Sequence, residues 1–209
     1  MRVQVLLLAK TPVPGRVKTR LCPPWTAEQA ASLAAAAIAD TADVLAATPA
    51  VARTLVVDGA LAAPRGWGRV PQRGAGLGER LAAAYADTAR PRVATLLVGM
   101  DTPQLSVGHL VDATARLATA DAVLGPAEDG GWWLLGLRDP AAAAVLADVP
   151  MSTADTGALT RAALCERGLA VSTAATLRDV DTAPDARAAA AAAPATRFAR
   201  VLSTVDGQR

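Results

Sequence analysis

Residues 3–20 read Val-Gln-Val-Leu-Leu-Leu-Ala-Lys-Thr-Pro-Val-Pro-Gly-Arg-Val-Lys-Thr-Arg. The first part, Val3–Ala9, is an apolar run of the kind that forms a strand buried on both faces of a parallel sheet. The second part holds Lys10, Arg16, Lys18 and Arg20 and no acidic residue. Pro12, Pro14 and Gly15 stop both helix and strand there, so a loop is expected to leave the strand. In an extended backbone Arg16, Lys18 and Arg20, spaced by two, would point to one side. Like charges this close repel unless an anion lies among them. The loop therefore reads as a clamp for a polyphosphate, with a solvated basic loop as the alternative.

Outward from this stretch, strands and helices alternate. Thr26-Ala-Glu-Gln29 is a capping box opening an alanine-rich helix with Leu33, Ile38, Thr41 and Leu45 expected on one face. Strands are expected at Ala52–Val57, Val93–Val98, Asp121–Gly125, Trp132–Leu137 and near Ala170–Ser172, with a short one at Arg69–Pro71. Helices are expected at Leu77–Arg90, Ser106–Ala118, Asp139–Ala147 and Thr153–Arg167. A last alanine-rich helix follows Asp179–Asp185, and residues 203–209 read as a frayed tail. The alternation implies an α/β fold with a mostly parallel sheet, as one domain over residues 1–209. Ligands of such sheets bind at the carboxyl ends of the strands.

Composition narrows the function. The net charge is +2 over 209 residues, so no field covers the whole molecule, and no nucleic-acid partner is expected. Two cysteines, Cys22 and Cys165, and one histidine, His109, exclude a disulfide scaffold, a cysteine-based zinc site and a multi-histidine metal site. No apolar stretch is read as reaching the roughly 18 residues of a membrane span. The N-terminal apolar run precedes its basic residues, the wrong order for a signal peptide, so a cytoplasmic protein is expected.

Asp101 follows Leu96-Leu-Val-Gly-Met100, at the tip of the most apolar strand. It could cap the next helix, but Ser106 is the better placed cap. Asp179 and Asp181 lie two apart near the end of the chain, with Arg178 and the helix after Pro184 competing for them. Hard carboxylates without histidine or cysteine suit Mg2+ or Mn2+. Asp101 with Asp181 would suffice, since magnesium binds through one or two carboxylates plus substrate phosphates. Asp129-Gly130-Gly131 is either a hairpin turn or a close approach to substrate, with Glu128 beside it. Trp132 and Trp133 alternate faces, one toward the core and the other toward a base or sugar. No Walker sequence and no G-x-G-x-x-G after the first strand is present.

Taken together, Ala9–Leu21, Gly99-Met-Asp-Thr-Pro-Gln-Leu105, Gly125–Leu137 and Asp179-Val-Asp-Thr182 resemble the bacterial GT-A-type, radical-SAM/selenodomain-associated transferases, also described as arsenosugar-biosynthesis glycosyltransferases. The resemblance spans about residues 3–187. Lys18-Thr-Arg-Leu21 also resembles 2-phospho-lactate guanylyltransferases, and Val180-Asp-Thr182 resembles the late metal-binding segment of CMP-sugar synthetases. The resemblance implies a nucleotide-diphosphosugar transferase (GT-A-like) fold, a three-layer, Rossmann-like, mostly parallel sheet. It implies Ala9, Lys10, Gly15, Arg16, Lys18, Arg20, Gln72 and Gly74 around a nucleotide. Asp101 and Asp181 would hold the metal, with Arg16, Lys18 and Asp101 closest to the chemistry. Glu128, Asp129, Gly130, Gly131 and Trp132 would face the acceptor. Met151-Ser-Thr153 departs from the family's Trp-Ser-Thr, and Trp132 stands where tyrosine is usual, so acceptor identity does not carry over. Folds of this kind often form homodimers.

The leading expectation is a Mg-dependent nucleotidyltransferase joining a nucleoside triphosphate to a small phosphorylated or hydroxylated acceptor with release of pyrophosphate. A glycosyltransferase using a nucleotide-diphosphosugar donor is the alternative, with Glu128 or Asp129 as base. A nucleotide-binding module without catalysis is the third.

Overall fold

The structure, a computed structural model, describes residues 1–207. Seven strands form one sheet: β1 (Val3–Lys10), β2 (Ala52–Asp58), β3 (Gly68–Pro71), β4 (Ala94–Gly99), β5 (Ala122–Pro126), β6 (Trp132–Leu137) and β7 (Val171–Thr173). Their order is β3-β2-β1-β4-β6-β5-β7. All neighbours are parallel except β6, which runs antiparallel to both β4 and β5. The mostly parallel α/β sheet is as expected.

The apolar run at the start of the chain takes the centre. Leu7 of β1 lies in register with Leu55 of β2 on one side and Val98 of β4 on the other. Val3, Val5, Leu7 and Ala9 pack under α1 (Ala27–Ala47) and α3 (Val107–Arg116). Leu6 and Leu97 face the opposite layer, made by α2 (Leu77–Thr88), a 3-10 run at Pro140–Asp148 and α4 (Thr156–Glu166). The period-two alternation thus feeds two apolar layers at once, as a doubly covered sheet requires.

The capping box of α1 forms as read: Thr26 Oγ1 accepts from Gln29 N at 3.3 Å and Gln29 Oε1 accepts from Thr26 N at 2.9 Å. Its faces differ from expectation. Ile38 and Leu45 pack on the sheet, but Leu33 packs outward with Leu21 and Trp25 against α5 (Ala183–Ala192) and α6 (Arg197–Gly207). α1 is therefore covered on two sides, with Glu28, Ser32 and Asp43 on its exposed remainder. Its 21 residues are in fact long and apolar enough to cross a membrane, contrary to the sequence reading, yet 56% of the qualifying window is buried inside the protein.

The C-terminal reading also needs correction. Two helices stand where one was expected, because Pro194 follows the C-cap Ala193 and cannot continue α5. The stretch read as frayed from residue 203 is helical through Gly207. Val205 is buried, and Asp206 accepts a 3.0 Å hydrogen bond from Trp25 Nε1. Residues 208 and 209 of that stretch lie outside the described residues.

Candidate functional site

The carboxyl ends of β1 to β5 open on one edge of the sheet, and a cleft of about 480 Å³ lies there. Leu8, Leu77, Leu81, Leu97 and Met151 form its apolar lining, with Trp132 beside them. The wall above β1–β3 carries Lys10, Gln72 and Arg80. Lys10 Nζ and Arg80 Nη1 stand 3.6 and 3.5 Å from the same carboxylate oxygen of Asp58 at the end of β2. Gln72 Nε2 donates to Ala9 O at 2.9 Å, tying the segment after β3 to the tip of β1.

The middle of the edge is acidic. Asp101 leaves β4, and its carbonyl accepts from Val180 N at 2.9 Å. Gln104 Nε2 donates to Arg178 O. These two bonds knit the loop after β4 to the segment 178–181 and so bring together acidic residues eighty positions apart. Lys18 adopts a left-handed backbone (φ 49°). Its buried ammonium stands 2.7 Å from Asp101 Oδ1 and 3.4 Å from Asp181 Oδ1, and it also donates to Val180 O. Burial pulls the Lys18 ammonium down, but the attraction of Asp101 and Asp181 outweighs it and leaves its pKa above the ordinary lysine value. Arg20 Nη1 reaches Asp181 Oδ2 at 3.1 Å from the exposed side.

The β5–β6 turn adds the next carboxylate. Asp129 Oδ1 accepts from Gly131 N at 2.8 Å. Gly130 (φ 89°) presses against the start of α4: a Cβ there would lie 1.9 Å from Ala154 O, and Gly130 O accepts from Gly157 N at 2.8 Å. Only glycine fits. The turn faces segment 178–181, so oxygens of Asp129, Asp179 and Asp181 lie within 4.8 Å of one another. Burial, reinforced by the Asp129 carboxylate, raises Asp179 to about 6. Three converging carboxylates with one resisting ionisation form an all-oxygen donor set that fits a hard divalent cation such as Mg2+ or Mn2+.

The predicted site residues divide into two groups. Ala9, Lys10, Gln72 and Asp101 line the cleft, as do Asp129, Gly131, Trp132 and Asp181. The basic loop is not extended. Val13 O accepts from Arg16 N across a turn that holds Gly15 (φ 74°), and Thr19–Leu21 is a 3-10 turn. Only Lys18 is directed inward; Arg16 and Arg20 are exposed, and Gly15 stands clear of the cleft. Gly74 packs on Glu79 of α2 instead. Glu128 is held 2.6 Å from Arg178 Nη2, outside the cleft. Asp101, expected to pair with Asp181 on a metal, meets the Lys18 ammonium, and Asp179 takes its place in the acidic trio. The two-residue spacing of Asp179 and Asp181 was the available signal for that role. Both tryptophans line the cleft: Trp132, half-buried, donates from Nε1 to Thr160 Oγ1 at 3.2 Å, and Trp133 is buried and also packs in the core.

The fold is of the α/β class found in nucleotide-diphosphosugar transferases. The family described as "Uncharacterized protein conserved in bacteria (DUF2064)" matches residues 30–153, more than half of the chain, and the chain belongs to it. A crystal structure of a candidate nucleotide-diphospho-sugar transferase from Desulfovibrio desulfuricans G20 superposes with a TM-score of 0.85 at 26% identity, covering 99% of this chain and 96% of that one. The CMP:2-keto-3-deoxy-manno-octonic acid synthetase complexed with CTP matches at TM-score 0.57 and 11% identity, over 93% of this chain and 99% of that one. Rv0371c of Mycobacterium tuberculosis H37Rv in complex with manganese matches at 0.54 and 19%, over 90% and 98%. The last two likenesses are of fold alone. No functionally curated protein matches the chain.

Proposed function

We propose that the protein is a divalent-metal-dependent nucleotidyltransferase, acting as one domain, that moves the nucleotidyl part of a nucleoside triphosphate onto a small acceptor. The observation that carries this is the convergence of Asp129, Asp179 and Asp181 within 4.8 Å, beside a buried lysine at the carboxyl edge of the sheet. Asp129, Asp179 and Asp181 would hold Mg2+ or Mn2+, which when bound supplies neutralisation of phosphate charge. The chain's own residues do the rest. Lys18 holds Asp101 and Asp181 in place through its ammonium. Arg16 and Arg20, exposed on the loop that follows β1, receive the departing pyrophosphate. Gln72 and the wall above β1–β3 receive the base and ribose. The acceptor oxygen attacks the α-phosphorus in line, its bond forming as the bond to pyrophosphate breaks and a hydroxyl acceptor losing its proton to solvent, so no side-chain nucleophile is required.

Sugar transfer from a nucleotide-diphosphosugar is the second reading. It is favoured by the full-length likeness to the Desulfovibrio protein. In that case Asp129 is the candidate base, since Glu128 is engaged by Arg178. Incubation with Mn2+ and separate panels of nucleoside triphosphates and nucleotide sugars distinguishes the two. Pyrophosphate release supports the first, nucleoside diphosphate release the second, and neither product from any donor rejects both.

A further inference from the structure

Three carboxylates within 4.8 Å of one another repel, and no ion pair among the described residues reaches Asp129 or Asp179. The segments that carry them must be held together by something else. The base of the β5–β6 turn is held by backbone: Glu128 N donates to Leu177 O at 3.0 Å, and Leu177 N donates to Pro126 O at 3.1 Å. That pairing stops at residue 177, just short of the segment with Asp179 and Asp181.

Arg178 continues the connection. Its carbonyl accepts from Gln104, on the loop after β4. Its guanidinium lies outside the cleft lining and forks. Nη2 stands 2.6 Å from Glu128 Oε2, next to Asp129 in the chain, and Nη1 stands 3.3 Å from Asp185 Oδ1 in the first turn of α5. Asp185 Oδ2 accepts from Thr182 N at 2.9 Å and from Thr182 Oγ1 at 2.6 Å. One side chain thus closes loop 178–185 on itself and fastens it to the turn bearing Asp129. We infer that Arg178 is a positioning residue for the divalent-cation site: by bridging Glu128 and Asp185 it keeps Asp129 within reach of Asp179 and Asp181. The inference rests on the proposed metal-dependent transferase reading and gives a role to a residue which that reading leaves unused. A lysine at this position would keep the charge but not the planar fork that Glu128 and Asp185 share.

The test is Mn2+ titration of the full chain, with free Mn2+ read by electron paramagnetic resonance, for wild type, Arg178→Lys and Arg178→Met. Charge and position predict different results. A merely nearby positive charge repels the ion, so its removal in Arg178→Met would tighten Mn2+ binding and Arg178→Lys would leave it unchanged. Positioning predicts the opposite sign. The dissociation constant should rise about tenfold in Arg178→Met, as for loss of a partner that orients metal ligands, and about threefold in Arg178→Lys. The metal-free Tm should stay within about 4 °C of wild type, because partly exposed ion pairs add little stability. In a Glu128→Gln background Arg178→Lys should cost less than it does alone, since one partner is already gone. Unchanged or tighter binding by Arg178→Met, full additivity with Glu128→Gln, or a larger fall in the metal-free Tm of Arg178→Lys would overturn the inference. The metal reading has its own control: Mn2+ binding by wild type that Asp181→Asn abolishes retains that reading whatever the Arg178 variants do, and no binding by wild type overturns both.

Discussion

Asp179→Asn should make the protein more stable, not less. Three carboxylates converge at Asp129, Asp179 and Asp181, and the middle one is raised from 3.8 to about 6 by burial and by its neighbours. A shift of about two pH units corresponds to about 3 kcal/mol of unfavourable interaction in the ionised form. Asp179 is half-buried, so solvent screening reduces the usable part to about 1–1.5 kcal/mol. The sign follows from proton linkage. With the folded pKa above the unfolded one, the native state binds the extra proton; stability from this group is full below about 3.8 and is lost as pH rises through about 6. Above that, the wild type carries the penalty and the neutral amide does not. For a chain of this size each kcal/mol moves Tm by about 2–4 °C. The variant should therefore melt roughly 2–6 °C higher at pH 8, with the gap closing toward pH 4.

Mn2+ should reverse the ranking. At 100 times its dissociation constant it stabilises the wild type by about 2.7 kcal/mol and the variant by much less. Differential scanning calorimetry at pH 4, 6 and 8, with and without Mn2+, reads all of this. A variant that melts lower than wild type at pH 8 without metal, or gains as much from Mn2+, would refute the acidic cluster as a cation site.

Lys18→Met should cost about 2–3 kcal/mol. It strips a buried counter-charge from Asp101 and Asp181, but both carboxylates are partly solvated, which keeps the loss below that of a fully buried pair; urea denaturation measures it. The raised Lys18 pKa means this contribution is complete below the ordinary lysine value near 10.5 and fades as pH climbs through the folded one. Gly130→Ala should lose about 2–3 kcal/mol and weaken Mn2+ binding, because its Cβ collides with Ala154 O and the left-handed turn carrying Asp129 must shift; calorimetry and metal titration read both effects. Arg16→Ala should leave stability within about 0.5 kcal/mol, as an exposed residue does, while weakening triphosphate binding in isothermal titration.

Local signals sufficed where the structure is local. The apolar run Val3–Ala9, the Thr26 capping box, the Ser106 cap and the Trp132–Leu137 strand are set by patterns of side-chain type over a few positions, and they stand as read. Alanine defeated the face assignment of α1. Small apolar residues surround that helix, so its period does not say which side meets the sheet and which meets α5 and α6. The site was half legible for a different reason. Asp101, Asp129 and Asp181 could each be marked as strand-tip or late-loop carboxylates, but which of them meet depends on contacts between distant segments. The bond from Val180 N to Asp101 O and the packing of Gly130 on Ala154 leave no trace in spacing. Nor does the left-handed turn at Lys18, which sends that side chain inward and leaves Arg16 and Arg20 outside.

Counting charges at the centre explains why the basic loop and the acidic trio belong together. Four carboxylates meet there: Asp101, Asp129, Asp179 and Asp181. Two cations touch them, Lys18 and Arg20. The difference is two negative charges, the charge of one divalent ion. Binding such an ion would bring the centre near neutrality and lower the penalty now visible at Asp179. On the proposed reading a polyphosphate arriving next would add several negative charges, and Arg16 is exposed on the loop that follows β1. The basic loop is thus divided by its own backbone: Lys18 and Arg20 pair with the carboxylates, and on the proposed reading Arg16 is the cation left for the ligand. It follows that metal should strengthen nucleotide binding and nucleotide should strengthen metal binding by the same factor. Titrating each in the presence of the other should give equal coupling, and independent binding would mean that the two groups of charges do not share one site.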